Sequence, residues 1–106
     1  MQFRGGMNEL MRQAARMQRK VDQVKKELET KELEFSAVGG KVIATVTLAR
    51  RVARIQVDPE FAKSESLDVI LDSVCVAINQ GLEEAGKQMD AEVEKATGGM
   101  KIPGVT

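Results

Sequence analysis

The sequence predicts an α+β chain: a long helix, a three-stranded antiparallel meander, then a second long helix. Three observations predict it. Apolar residues recur at alternating steps of three and four from Met7 to Leu28. Between residues 31 and 57 the spacing changes to two. Helical spacing returns at Leu67 and persists to Ala96. These are the periods of a helix seam, a pleated strand and a helix again.

The first helix is the most regular stretch. Met7, Leu10, Ala14, Met17, Val21, Val24 and Leu28 form an unbroken heptad seam with no proline, glycine or aromatic between them. Gln, Arg, Lys and Glu fill most of the other positions, and all are good helix formers. With Met7 at heptad position a, Arg12, Arg19 and Lys26 fall at f, opposite the seam, and Arg16 falls at c beside them. Asn8 or a neighbour is placed to cap the helix, and Gly5-Gly6 reads as a joint before it. The helix is expected to end near Thr30.

Strands follow. Leu33, Phe35 and Ala37 alternate with polar residues, and Gly39-Gly40 signals a turn. Lys41–Ala49 alternates Val42, Ala44, Val46 and Leu48 with Ile43, Thr45 and Thr47, a β-branched pattern that suits a strand. Ala49-Arg50-Arg51 is a weak turn sequence, lacking Gly or Asn, before a third strand over Val52–Val57. Asp58-Pro59 stops it, and Ser64 or Ser66 is placed to cap the second long helix. The front half of that helix, to Leu82, is broadly apolar and should cover the sheet. Its back half narrows to Ala85, Met89, Val93 and Ala96 among charges and should project. Gly98-Gly99 ends it.

At 106 residues and 42% apolar content the chain predicts a single domain over residues 1–106, with flexible ends at about 1–6 and 98–106. So short a chain buries limited surface alone, and dimerisation would add more. No run of about 18 apolar residues is present, so no membrane span is expected. No secretory signal is expected at the start either. One cysteine cannot form an internal disulfide, which fits a reducing cytosol.

Much chemistry is missing. There is no His, Tyr or Trp. Cys75 lies on the apolar stripe of the second long helix, where a buried structural thiol is expected, with no imidazole to activate it. Asp68 with Asp72, and Glu83 with Glu84, read as a solvated acidic face rather than a cation site. No phosphate-loop glycine pattern occurs. No enzyme activity, cofactor, metal or small-molecule substrate is expected.

What remains is charge. Formal net charge is zero, yet residues 1–57 carry 12 Lys and Arg against 6 Asp and Glu, and residues 58–106 carry 4 against 10. Such a dipolar chain can offer a basic surface to a polyanion. Arg12, Arg16, Arg19 and Lys26 stretch over about 21 Å of helix, the rise of about six base pairs. Lys20 and Lys25 flank that stripe, and Arg4 extends it. The guanidinium fork suits phosphate oxygens. Only Phe3, Phe35 and Phe61 are available to stack on unpaired bases, so duplex DNA fits better than a single strand.

The residues also carry a resemblance. Gly5-Gly6-Met7, Leu10-Met11-Arg12-Gln13-Ala14, Met17-Gln18, Gly40-Lys41-Val42, Ile55-Gln56-Val57-Asp58-Pro59-Glu60, Ala77-Ile78-Asn79 and Gly98-Gly99-Met100 stand in an order that resembles the YbaB/EbfC family of bacterial nucleoid-associated proteins. The resemblance implies an α-β-β-β-α protomer and a tight homodimer with paired sheets and projecting helical arms. It also implies double-stranded DNA binding in the cytoplasmic nucleoid, with a role in DNA organisation and gene regulation. The family usually has Asn-Gly or a similar turn where this chain has Ala49-Arg50-Arg51. It supplies no catalytic site and no crisp motif for touching DNA. Arg4, Arg12, Arg16, Arg19, Lys20, Lys25 and Lys26 are therefore the DNA-binding candidates, taken from the stripe. The alternative is a dimeric protein–protein interaction scaffold with no direct DNA binding.

Overall fold

Helix formers without an interrupting proline carry α1 from Gln2 to Leu28. The computed structural model describes residues 2–99, with side chains from residue 6 onward. Arg4 and Phe3 are therefore placed only as backbone, and most of the flexible end expected at 98–106 lies outside the described residues. α1 begins earlier than its seam suggests. Gly5 and Gly6 lie within its first two turns instead of forming a joint, and Asn8 is interior to the helix, not a cap. Glycine costs a helix about 1 kcal/mol without breaking it.

Three strands follow, β1 (Glu32–Ala37), β2 (Val42–Thr47) and β3 (Val52–Val57). They form an antiparallel meander in the order β1-β2-β3, as the alternation predicts. Glu32 pairs with Thr47 and Ala37 with Val42 on one side of β2. On the other side Val42 pairs with Val57 and Thr45 with Arg54, with an irregularity between Thr45 and Val46. Arg54 of β3 reaches Glu32 of β1 at 2.7 Å, an ion pair between the strands on either side of β2. That hydrogen bond raises the Arg54 guanidinium pKa further above its already high ordinary value.

The linker before the last helix holds an element that periodicity does not predict. α2 (Pro59–Ser64) is capped by the Asp58 carboxylate, which accepts from the Phe61 N–H at 3.1 Å. Pro59 is pre-shaped for the first helical turn. The turn drops Phe61 into a core with Val42, Ala44 and Ala77. Ser66 rather than Ser64 caps α3 (Leu67–Ala96), accepting from the Val69 N–H at 3.3 Å.

α3 lies over β2 and β1, and its small residues Ser73, Ala77, Gly81, Ala85 and Gly86 make the close approach. A Cβ on Gly81 would stand 3.1 Å from the Val46 methyls and 3.2 Å from the Phe35 ring. β3 lies beyond this cover. Ile55, on the same sheet face as Ala44, is therefore still 36% exposed.

The front of the last helix covers β2 and β1 as expected, but part of its apolar stripe stays outside that contact. Leu67 and Leu71 are 67% and 51% exposed. Cys75 is exposed too, so it is no buried structural thiol. Small residues take the closest sheet-facing positions, Ile70, Val74 and Ile78 pack beside them against the core, and Leu67, Leu71 and Cys75 stay on the flank.

Candidate nucleic-acid interface

The heptad seam of α1 is shared between two environments. Val21 is fully buried, and Met17, Val24 and Leu28 are half-buried where α1 packs on α3. Residues 6–16 are all exposed, including the seam residues Met7, Leu10 and Ala14. Beyond α3, α1 therefore continues as an unaccompanied arm. The chain measures 76 × 19 × 16 Å, and its radius of gyration is 20.2 Å. A compact chain of this length has about 13 Å.

Arg12, Arg16, Arg19 and Lys26 lie on the side of α1 turned away from the seam, all exposed. Their nearest compensation is local. Glu9 lies 3.9 Å from Arg12 and 3.3 Å from Arg16, holding both over one carboxylate. The signal for this was present in the spacing, since residues three and seven apart share a helix face. Asp22 instead accepts from the Gln18 amide at 3.0 Å. Among the described residues, Arg12, Arg16, Arg19, Lys20 and Lys26 make no ion pair with α3. Exposed pairs such as those to Glu9 are worth on the order of 0.2–1 kcal/mol, too little to resist an incoming phosphate. The ridge therefore remains positive despite Glu9.

Not every candidate cation joins that ridge. Lys25 is half-buried. It lines an open cleft of about 390 Å³ with Glu29, Arg50, Gly86, Met89 and Asp90. One helical position from Lys26, it has rotated toward α3. Lys20 lies beside the ridge and is exposed. The side chain of Arg4 lies outside the described residues.

The structure also reveals a cation at the foot of the arm that the stripe does not include. Arg50 holds φ +61°, the left-handed conformation, in the β2–β3 turn. Its N–H donates to the Thr47 carbonyl at 2.9 Å, and the Thr47 N–H donates to the Arg51 carbonyl at 2.8 Å. This is a three-residue hairpin loop whose last residue occupies the slot glycine usually fills. The Arg50 guanidinium lies against Gly86, where a Cβ would meet its central carbon at 2.8 Å. The cleft balances Arg50 and Lys25 against Glu29 and Asp90, so it is no anion pocket. Among the described residues no cluster of three metal-binding side chains occurs, and no helix is long and apolar enough to cross a membrane.

Known proteins share both the sequence and the fold. A nucleoid-associated protein of Clostridium acetobutylicum is 34% identical over 101 residues, covering 95% of this chain and 90% of its own. One from Acetivibrio thermocellus is 36% identical over 104 residues, covering 97% and 92%. An uncharacterised protein of Helicobacter pylori superposes with a TM-score of 0.61 at 13% identity, covering 71% of this chain and 87% of that one. That likeness establishes the fold alone. The profile of the YbaB/EbfC DNA-binding family, which is not an enzyme family, matches residues 3–100. With relatives above 30% identity along almost its whole length, the chain belongs to the YbaB/EbfC DNA-binding family.

Proposed function

We propose that this protein is a dimeric nucleoid-associated protein that binds double-stranded DNA, mainly through phosphate contacts from α1. The observation that carries the reading is the ridge of Arg12, Arg16, Arg19 and Lys26 along the outer side of α1, free of ion pairs to α3. Lys20 adds to it from the side, and Arg4, earlier in the same helix, is kept as a candidate from the sequence. Lys25 contributes less, because it faces the α3 cleft. Phosphate contacts position a protein without reading sequence, so modest sequence preference follows. The relatives' names place those proteins in the nucleoid. The same cytoplasmic location, and a role in organising DNA and regulating genes, fit this chain.

Dimerisation is supported by what one copy leaves uncovered. β3 is an edge strand beyond α3, its Ile55 exposed on the face that α3 covers elsewhere. Leu67, Leu71 and Cys75 form a row along one flank of α3 at every fourth position, and all three are exposed. A second copy covering these surfaces would pair the sheets and leave both arms projecting.

Replacing Arg12, Arg16 and Arg19 with Glu is expected to abolish retardation of a mixed-sequence duplex while the variant keeps the parent's mass in solution. Undiminished retardation by the variant would remove the ridge as the site. The alternative reading, an interaction scaffold, expects no retardation by the parent at all.

A further inference from the structure

We infer that the free arm of α1 pairs antiparallel with the same arm of a second copy, through the exposed part of its heptad seam. The inference goes beyond DNA binding and does not depend on it. Met7, Leu10 and Met11 are 62%, 63% and 68% exposed. Met7 and Leu10 continue, on the same helix, the seam that buries Val21 completely against α3, and Met11 lies beside them. A heptad seam specifies a helical partner, and α3 supplies one only for the inner half.

Two further features identify the missing partner as another arm rather than DNA. The positions flanking Leu10 and Ala14 are Met11 and Gln13, both uncharged, and the flanking cations Arg4 and Lys20 stand only at the two ends of the seam. A seam that met DNA would gain from cations beside its middle, and this one has none there. Arg12, Arg16 and Arg19 lie at the outer heptad positions, where a paired arm leaves them open to phosphate. Two basic helices can therefore meet at Leu10 and Ala14 without bringing those arginines together.

The seam is also complementary to itself. In antiparallel order an a position packs against a d position. Leu10 then meets Ala14 of the second arm, and Ala14 meets its Leu10, so large faces small in both layers. Met7 and Met17 close the ends in the same register. The free seam from Met7 to Ala14 is about 10 Å long, which is short for a permanent coiled coil. The pairing is therefore concentration-dependent and strengthens wherever copies crowd together.

Sedimentation of the full-length protein without DNA tests this. The parent is expected to reach, at rising concentration, a species of twice the mass shown by a Met7→Gln, Leu10→Gln, Met11→Gln variant. These positions are exposed, so the fold is retained, and circular dichroism checks that. In a Cys75→Ser background, Leu10→Cys combined with Ala14→Cys is expected to give a covalent pair on mild oxidation. Equal masses for parent and Gln variant, or no cross-link, would overturn the pairing. So would a Gln variant that loses duplex affinity at unchanged mass, which would assign the seam to DNA.

Discussion

Val38 and Arg50 both hold left-handed backbone, at φ +54° and +61°, and neither is the glycine such positions favour. Left-handed backbone costs a residue with a Cβ roughly 1–2 kcal/mol, and a β-branched side chain is the least suited to it. Val38 is 49% exposed, so it offers little packing in return. Val38→Asn is expected to raise stability by about 1 kcal/mol, read by urea unfolding at fixed protein concentration. The two helical glycines of α3 should respond differently to alanine. Each gains up to about 1 kcal/mol of helix propensity. At Gly86 the obstructing group is the end of the flexible Arg50 side chain, which can swing aside. At Gly81 it is the buried Val46 and the Phe35 ring, which must shift within a packed layer. Gly86→Ala should therefore match or exceed the parent in melting temperature, and Gly81→Ala should fall below it.

At the scale of elements, α1 does two jobs along its length. Its seam face is packed along the inner half, and its opposite face carries the ridge from Arg12 to Lys26. Neighbouring lysines should reveal the division. Lys26→Gln is expected to weaken duplex binding uniformly and to reduce the salt slope by about 1 for each phosphate no longer neutralised. Lys25→Gln should change it less, since that side chain faces α3. Equal losses, measured by anisotropy titrations at several salt concentrations, would contradict this. The same division shows what the sequence made legible. Periodicity identified α1, the three strands and α3 because each buries a regular stripe. It marked Arg12, Arg16, Arg19 and Lys26 as one ridge for the same reason. It did not show α2, because six residues are too few for a period, although Asp58-Pro59 carries its cap and first turn. It misjudged Cys75, because apolar spacing cannot say which flank of a broad stripe meets the sheet. That choice follows from Ser73, Ala77 and Gly81, whose small size allows α3 to approach β2. Where the α1 seam changes from packed to free was equally hidden, since it depends on how far α3 reaches along α1.

On the scale of the whole molecule, a 76 Å chain with a basic ridge at one end and an uncovered sheet edge at the other has the form of an arm on a platform. Two copies joined at the platform carry two arms. If Arg12, Arg16, Arg19 and Lys26 of both copies each meet a phosphate, as proposed, about eight are neutralised, which corresponds to a slope near −7 in a plot of log affinity against log salt. The most direct measurement is therefore the binding of a mixed-sequence duplex across a range of monovalent salt concentrations. A slope near −7 in the parent, lost together with binding in the Arg12→Glu, Arg16→Glu, Arg19→Glu variant, is the expected result. A shallow slope near −1, or a triple variant that binds with the parent's affinity and slope, would contradict it.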